Sequence, residues 1–383
     1  MTLALAGARI FDGTSLVAGR AVVVDGGRIS AVVAEGDVPA GVSIRRIEGL
    51  LAPGFIDIQV NGGGGVLLNH EPTVEGVRAI AEAHRRYGTT GLLPTLVTDT
   101  RKRMAEAIAA VRGALEAGVP GVLGIHLEGP YLNPARKGVH DPSLMRRIEE
   151  EDIALVTSLD RGVTLITIAP ELTTPDTIRR IADGGVRIAA GHTAASYEDI
   201  EAARAAGLTG ITHLFNAMPP LMGREPGVVG AALDDPELYP SLIVDLFHVS
   251  AASLRIALAA RGTERTILVT DAMSTVGSDI DHFMLGDRVI TRAAGRLTTA
   301  DGTLAGSDLD MASAVRNTVE ALGLPLEAAL HMASGAPAAF LGLDAELGRI
   351  AAGYRASLVL LDDDLAVTET WIDGRDTQGN GPA

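Results

Sequence analysis

The chain has no cysteine. Disulfides and thiolate chemistry are therefore excluded, and any metal must be held by His, Asp or Glu. Positive charge is scarce: 32 Lys and Arg stand against 48 Asp and Glu, for a net charge of −16. That balance argues against a nucleic acid or an anionic membrane surface as partner, while leaving room for a small cationic pocket. No apolar run reaches membrane-spanning length, and the opening Met-Thr-Leu-Ala-Leu-Ala-Gly-Ala-Arg carries no basic segment ahead of a long apolar stretch. A soluble cytoplasmic protein is the expectation. Solenoid repeats and low-complexity linkers are absent. The glycine run Gly62–Gly65 lacks the Lys-Ser/Thr that follows in a P-loop, so it is expected to serve close backbone packing at a strand end.

What is present is a chain of 383 residues, 47% apolar, long enough for a large core and for two domains. Residues 1–50 alternate short apolar runs (Leu3–Ile10, Ala21–Val24, Ile29–Val33, Ser43–Ile47) with the turns Asp12-Gly13 and Asp25-Gly26-Gly27. The C-terminal stretch does the same, with Ser357–Leu361, Val367–Trp371 and the turn Asp373-Gly374. Both ends together predict one discontinuous β-sandwich, residues 1–50 and 346–383, around a middle domain of residues 51–345.

The middle alternates strand and helix. Eight apolar runs read as strands: Gly54–Val60, Gly91–Val97, Gly121–Leu127, Thr164–Ala169, Val186–Ala190, Gly210–Leu214, Ser241–Leu246 and Thr266–Val269. Between them, Met104, Ile108, Val111 and Leu115 recur at helical spacing. Ser196 and Ser250 are candidate N-caps, and Gly88, Gly118, Gly207 and Gly262 candidate C-terminal stops. Eight βα units in one run predict an α/β fold of the TIM (β/α)8 barrel class, with a doubly wound sheet as the alternative. The stretch 281–300 breaks the rhythm and reads as an inserted β-hairpin ahead of a last helix over 309–322.

A TIM barrel carries its chemistry at the C-terminal strand ends. Here those ends read Gln59 and Asn61, then Glu128, Glu171, His192, His213, His248 and Asp271. One polar strand end means little, and a single histidine is more often a satisfied core or capping residue. Ionisable or metal-binding groups closing six of eight strands indicate a site. Glu128, His192 and His213 are one carboxylate and two imidazoles from neighbouring strands, a set that suits Zn²⁺ or a similar divalent ion with a coordination position left open. Asp271 could ligate, but is better placed as general base for a water there. His126 shares a strand face with Glu128, one layer deeper, and is expected to be a buried support. Arg224, on the Pro/Gly-rich loop after Asn216, reads either as an anion clamp or as a surface ion pair.

These segments resemble the N-acetylglucosamine-6-phosphate deacetylases of the amidohydrolase superfamily. The resemblance is carried by Pro53-Gly54-Phe55-Ile56-Asp57-Ile58-Gln59-Val60-Asn61-Gly62, His126-Leu127-Glu128-Gly129-Pro130, Lys137-Gly138-Val139-His140 and Gly191-His192-Thr193-Ala194. It continues through Thr212-His213-Leu214-Phe215-Asn216-Ala217-Met218, Thr270-Asp271-Ala272 and Gly302-Thr303-Leu304-Ala305-Gly306-Ser307. It implies an amide hydrolase that removes acetate from a phosphorylated amino sugar, using one divalent metal ion per subunit, zinc in first place and Fe²⁺, Mn²⁺ or Co²⁺ as alternatives. Glu128, His192 and His213 would hold the ion, Asp271 would move the proton, and His140 would polarise the acetamido carbonyl. Arg224 and His248 would bind the phosphate, in a homodimer whose interface completes that site. Val139, Asn216, Ala217, Leu304, Ala305 and Gly306 would line the sugar pocket. Many members of the superfamily carry His-x-His on the first strand and hold two metals. This chain has Gln59-Val60-Asn61, which implies one tightly held ion. A hydrolase of a cyclic amide or an N-acyl amino acid, or a non-catalytic barrel used as a scaffold, are the alternatives.

Overall fold

A computed structural model of the protein describes residues 2–376; the end of the expected C-terminal β piece, 377–383, lies outside the described residues. Eight parallel strands form one sheet: Phe55–Val60, Thr89–Val97, Gly124–Glu128, Val163–Ile168, Arg187–Ala190, Gly210–Ile211, Tyr239–Ile243 and Ile267–Val269. Each pairs with the next in sequence. The eighth returns to the first through the Val60–Ala272 bridge and the Asp271 N–H to Gln59 carbonyl bond, 3.0 Å. The result is a closed barrel, as the strand-helix alternation predicts. Its strands are apolar on both faces because helices cover the outside while side chains fill the inside. All nine residues of Thr89–Val97 are buried.

The helices follow from the same patterning. In Arg101–Glu116, Met104, Ile108 and Val111 face the barrel, and the Thr100 side chain accepts the Arg103 N–H at the N-terminus. Ser196 and Ser250 cap the helices Tyr197–Ala205 and Ala251–Arg261 as expected, each cap contributing about 1 kcal/mol. Gly262 ends the second of these at φ +76°, a conformation that favours glycine.

The termini build two further sheets. One has the order Arg28–Ala34, Arg20–Asp25, Leu3–Ala6, Ser43–Arg46; the other has Val367–Trp371, Leu358–Leu361, Leu50–Pro53, Arg9–Phe11, Leu16–Val17. Leu5, Val22, Ile29, Leu51, Leu358 and Trp371 form a separate apolar cluster with members in both sheets. The run Leu3–Ile10 is not one strand. It breaks at Gly7, φ +103°, where a Cβ would lie 2.8 Å from the Ile47 carbonyl, and the chain crosses from one sheet to the other.

The insertion at 281–300 also departs from the expected hairpin. It is a three-stranded antiparallel flap, His282–Leu285, Arg288–Ala293 and Arg296–Thr298. A second two-residue turn, Ala294-Gly295, takes positive φ at both positions and adds the extra strand. Phe283, Ile290 and Leu297 from the flap pack on Leu67, Met273 and Ala305, so the flap sits against the end of the eighth barrel strand.

Candidate active site

Glu128 is the last residue of the third barrel strand. His192, His213 and Asp271 each lie two residues beyond the ends of the fifth, sixth and eighth. All three have left-handed backbone, φ 49°, 34° and 53°. Non-glycine residues held there cost about 1–3 kcal/mol each, and such strain concentrates at functional sites. Tertiary bonds hold the backbone in place: the His213 N–H donates to Ser241 Oγ (2.8 Å), and the Asp271 carbonyl accepts the Ser307 N–H (2.9 Å).

Three side-chain atoms of metal-ligand type converge. Glu128 Oε1 is 3.2 Å from His192 Nε2 and 3.1 Å from His213 Nε2, and the two imidazole nitrogens are 3.1 Å apart. His192 Nδ1 lies 2.8 Å from the Arg136 carbonyl, which can only accept, so Nδ1 carries the proton and Nε2 presents a lone pair to the centre. A near-equilateral triangle of two imidazole nitrogens and one carboxylate oxygen fits a single divalent ion: tetrahedral arms of about 2.0–2.1 Å require ligand atoms about 3.3 Å apart. Glu128, His140 and His192 form a second possible cluster within 4.8 Å, but His140 Nε2 stands 4.0 Å from Glu128 Oε1, too far for the same centre. His213 is the better third partner. Burial alone would raise the Glu128 carboxyl, but the close ring nitrogens of His192 and His213, with His140 beside them, favour its ionised form whenever an imidazole carries a second proton and hold it well below the usual carboxylate range. For His213, burial works against the charged form, and the bond to Glu128 outweighs it and raises the imidazole.

Asp271 stands across from the triangle. Burial first, then the charge of Glu128, pushes its carboxyl up to about 6, partly offset by His213 and His248. Asn61 Nδ2 donates to its Oδ1 at 2.7 Å, and Gln59 Nε2 is shared between that oxygen (3.2 Å) and Glu128 Oε1 (3.1 Å). The first-strand polar pair thus orients the two carboxylates. Asn61 also lines the cavity, and its buried Oδ1 has no hydrogen-bond partner among the described residues.

His140 is buried beside the triangle. Its Nδ1 accepts the Thr98 N–H (3.4 Å) and lies 2.8 Å from Thr98 Oγ1, which leaves the proton on Nε2, facing the centre. Burial, then the neighbouring His192, lowers it to about 3, so it is a neutral donor near neutral pH. His126 lies beneath, 1% exposed and lowered to about 4 by burial, as expected of a support.

A cavity of about 220 Å³ opens over these groups, lined also by Val139, Asn216, Ala217, His248, Thr303, Leu304 and Gly306. Asp245 Oδ2 holds His248 Nδ1 at 2.6 Å. A larger cavity of about 540 Å³ adjoins it across Val97, Val139 and His140, under the flap tip.

Three sequence expectations come out differently. Ala305 does not line the cavity; it is fully buried in the apolar cluster under the flap. Arg224 lies outside the cavity, on the exposed loop after Ala217, because the Pro219–Pro226 segment carries it outward. Glu171 faces away from the centre, in the 3-10 turn Pro170–Leu172. It accepts from Asn133 Nδ2 (2.9 Å), Thr193 Oγ1 (2.5 Å) and the Ala194 N–H (2.7 Å), and so pins the loop after His192. Gly62 and Gly63 are packing glycines as expected: a Cβ would meet the Val66 carbonyl at 2.3 Å and His84 Nε2 at 2.8 Å. Thr98 and Asp245 went unnoticed in the sequence. Each lies within a residue or two of a barrel-strand end, the one signal that could have raised them.

The amidohydrolase family model matches residues 50–376 and the NagA composite domain model residues 3–51. An N-acetylgalactosamine-6-phosphate deacetylase from Shewanella sp. is 46% identical over 330 residues, 86% of this chain and 84% of the relative. The crystal structure of N-acetylglucosamine-6-phosphate deacetylase from Pasteurella multocida superposes with a TM-score of 0.94 at 34% identity, covering 98% of this chain and 99% of that one. A mutant of the Mycobacterium smegmatis enzyme, in complex with N-acetyl-D-glucosamine-6-phosphate, gives 0.91 at 35% identity with the same coverage. With its barrel, its strand-end carboxylate and imidazoles and a family match over most of its length, the chain belongs to the amidohydrolase family.

Proposed function

We propose that this protein hydrolyses the acetamido group of an N-acetylhexosamine 6-phosphate, giving acetate and the free amino sugar 6-phosphate, with N-acetylglucosamine 6-phosphate as the substrate. The observation that carries the reading is the triangle of Glu128 Oε1, His192 Nε2 and His213 Nε2 facing Asp271 across one cavity. The 46% identity to a galactosamine-type deacetylase favours a second reading, the C4 epimer, at the same site.

Glu128, His192 and His213 would hold one divalent ion, zinc in first place. Such an ion would supply Lewis acidity, acidifying water and polarising the amide carbonyl. The chain's own groups do the rest. Asp271, poised near neutral pH by burial, takes the proton of the attacking water and returns it to the departing nitrogen. An amide nitrogen leaves only when protonated, so one carboxyl serves as base and then as acid. His140 Nε2–H donates to the acetyl oxygen as negative charge develops there. Gln59 and Asn61 keep Asp271 aimed. Val139, Asn216, Ala217, Leu304 and Gly306 enclose the sugar.

Phosphate binding falls to His248 and Arg224. Arg224 does not reach the cavity of its own subunit, and it sits beside the exposed apolar residues Leu221 and Met222, 54% and 59% accessible. A homodimer in which this loop lies over the partner's cavity would bury those side chains and bring the guanidinium to the phosphate. Within the chain, residues 51–345 would form the catalytic domain, and the described residues of the two ends, 2–50 with 346–376, the sandwich domain. No helix among the described residues is long and apolar enough to cross a membrane, and a cytoplasmic enzyme of amino-sugar breakdown is the setting this reading implies.

The test is acetate release from the 6-phosphates of N-acetylglucosamine and N-acetylgalactosamine beside unphosphorylated N-acetylglucosamine, with wild type and Asp271→Asn and with metal content measured on the same samples. Turnover of a phosphosugar, lost in the variant with metal retained, supports the reading, and the ratio of the two epimers chooses the sugar. No turnover by metal-loaded protein overturns it.

A further inference from the structure

Beneath Glu128, His192 and His213 runs a row of buried polar groups that touches no reacting atom. Thr95 Oγ1 lies 3.3 Å from His126 Nδ1, His126 Nε2 lies 2.8 Å from Thr167 Oγ1, and Thr167 Oγ1 lies 2.7 Å from Thr212 Oγ1. Their exposures are 0%, 1%, 0% and 3%. The row crosses the second, third, fourth and sixth barrel strands and reaches the first where the Val60 N–H donates to Thr95 Oγ1, 2.8 Å.

The bonds have one polarity that leaves no hydroxyl proton stranded. Thr212 donates to Thr167, Thr167 to His126 Nε2, His126 Nδ1–H to Thr95, and Thr95 to the Leu93 carbonyl at 3.1 Å. In the reverse direction the Thr212 proton would have no acceptor among the described residues. A buried polar row with every donor used is rigid, because breaking one bond strands a group in apolar surroundings.

The fifth strand lies between the fourth and the sixth, yet contributes no side chain at this level. It passes as Gly191, where a Cβ would lie 2.7 Å from Thr167 Cγ2 and 2.8 Å from Thr212 Cβ. The missing side chain is what lets the two threonines meet. The row adjoins the converging groups at several points: His126 is two residues before Glu128 on the same strand face, Thr167 is the register partner of Glu128 on the neighbouring strand, and Thr212 directly precedes His213, while Gly191 in the gap directly precedes His192.

We propose that Thr167, Thr212 and His126 are positioning residues. The belt fixes the spacing of the Glu128, His192 and His213 donor atoms, and through it the affinity and coordination geometry of the divalent ion; this rests on the metal reading above. Gly191 is the gap through which the belt closes. Partners hydrogen-bonded directly to metal ligands typically change metal affinity by 10–100-fold when lost; the belt acts one step further out, through the backbone beside the ligands, so the lower end, about tenfold, is the expectation.

The experiment uses the full chain, stripped of metal and titrated with Co²⁺, comparing wild type, Thr167→Val, which keeps the shape and removes the hydroxyl, and Thr167→Ser, which restores it. The readouts are the Co²⁺ dissociation constant and the visible absorption bands of the bound ion. Thr167→Val is expected to weaken Co²⁺ binding about tenfold or more and to shift the bands, with Thr167→Ser close to wild type. Affinity and spectrum of Thr167→Val within twofold of wild type would overturn the belt's role, as would a Thr167→Ser variant no better than the valine. Should Thr167→Val not fold, Thr212→Val at the end of the belt is read by the same criteria. Failure of wild type itself to bind Co²⁺ stoichiometrically would overturn the metal reading instead, so the two failures are distinguishable.

Discussion

Asp57 is a fully buried carboxyl one layer below Asp271, and its titration should be visible in the stability of the whole protein. Burial first, with the charge of Asp271 adding to it, raises it from 3.8 to about 7 against the opposing hydrogen bonds of Thr270 and Gln59. The folded protein therefore holds a proton on Asp57 at pH values where the unfolded chain has released it. A group whose folded value is raised contributes its stability fully below the unfolded value and loses it as pH rises through the folded one. The interval is about three pH units, and each unit is about 1.4 kcal/mol, so about 4 kcal/mol is lost between acid and pH 8, about 3 of it between pH 5 and 8. Asn is the natural probe. Its oxygen can accept the Gln59 and Thr270 N–H groups (3.2 and 3.3 Å), and its amide can donate to Thr270 Oγ1, where Asp57 Oδ2 now lies at 2.5 Å; Thr270 then donates to the Gln59 carbonyl. It thus copies the neutral carboxyl and cannot ionise. Equilibrium urea unfolding of metal-free wild type and Asp57→Asn should be run at pH 5, 6, 7 and 8. The stability of the variant relative to wild type should rise by about 3 kcal/mol across that range. A difference that stays constant to within about 1 kcal/mol would refute the assignment of a buried, protonated Asp57.

Three further outcomes follow from the geometry. Because Asp271 must be ionised to act as base and is raised to about 6, kcat/KM should climb about tenfold per pH unit on the acid side and level off above; the charge of a bound cation lowers the inflection, so a limb centred above pH 7 would exclude Asp271 as its source. Arg224→Ala should raise KM for the phosphosugar about tenfold or more with little change in kcat, and leave the unphosphorylated sugar unaffected, measured by steady-state acetate release; an equal effect on both would remove the phosphate role. A Cβ on Gly124 would stand 1.9 Å from the Val163 carbonyl, in the pairing of the third and fourth barrel strands, so Gly124→Ala should destabilise the protein by more than about 3 kcal/mol; a thermal midpoint within a few degrees of wild type would contradict that packing.

Patterning, composition and motif order are local properties, and they carry far in this chain. Eight apolar runs separated by amphipathic helices point to a parallel sheet, because strands buried on both faces need helices outside them; its closure between Val60 and Ala272 is a tertiary contact. The absence of cysteine confines any metal to oxygen and nitrogen ligands, and the polar residues closing the strands mark the end at which they meet. Glu128, His192, His213 and Asp271 were legible on those grounds. Contacts between distant segments are not local, and the tertiary structure alone decided them. Glu171 and Asp271 both follow a strand end, yet one pins a loop and the other faces the centre, because the 3-10 turn at Pro170 redirects the first while left-handed backbone holds the second. Arg224 and Ala217 are seven residues apart on one loop, and only the fold separates the cavity wall from the exposed tip. The roles of Gly191 and Asp57 are invisible in the string of letters: the first depends on what two neighbouring strands place beside an absent side chain, the second on how little water reaches a carboxyl at the bottom of the site.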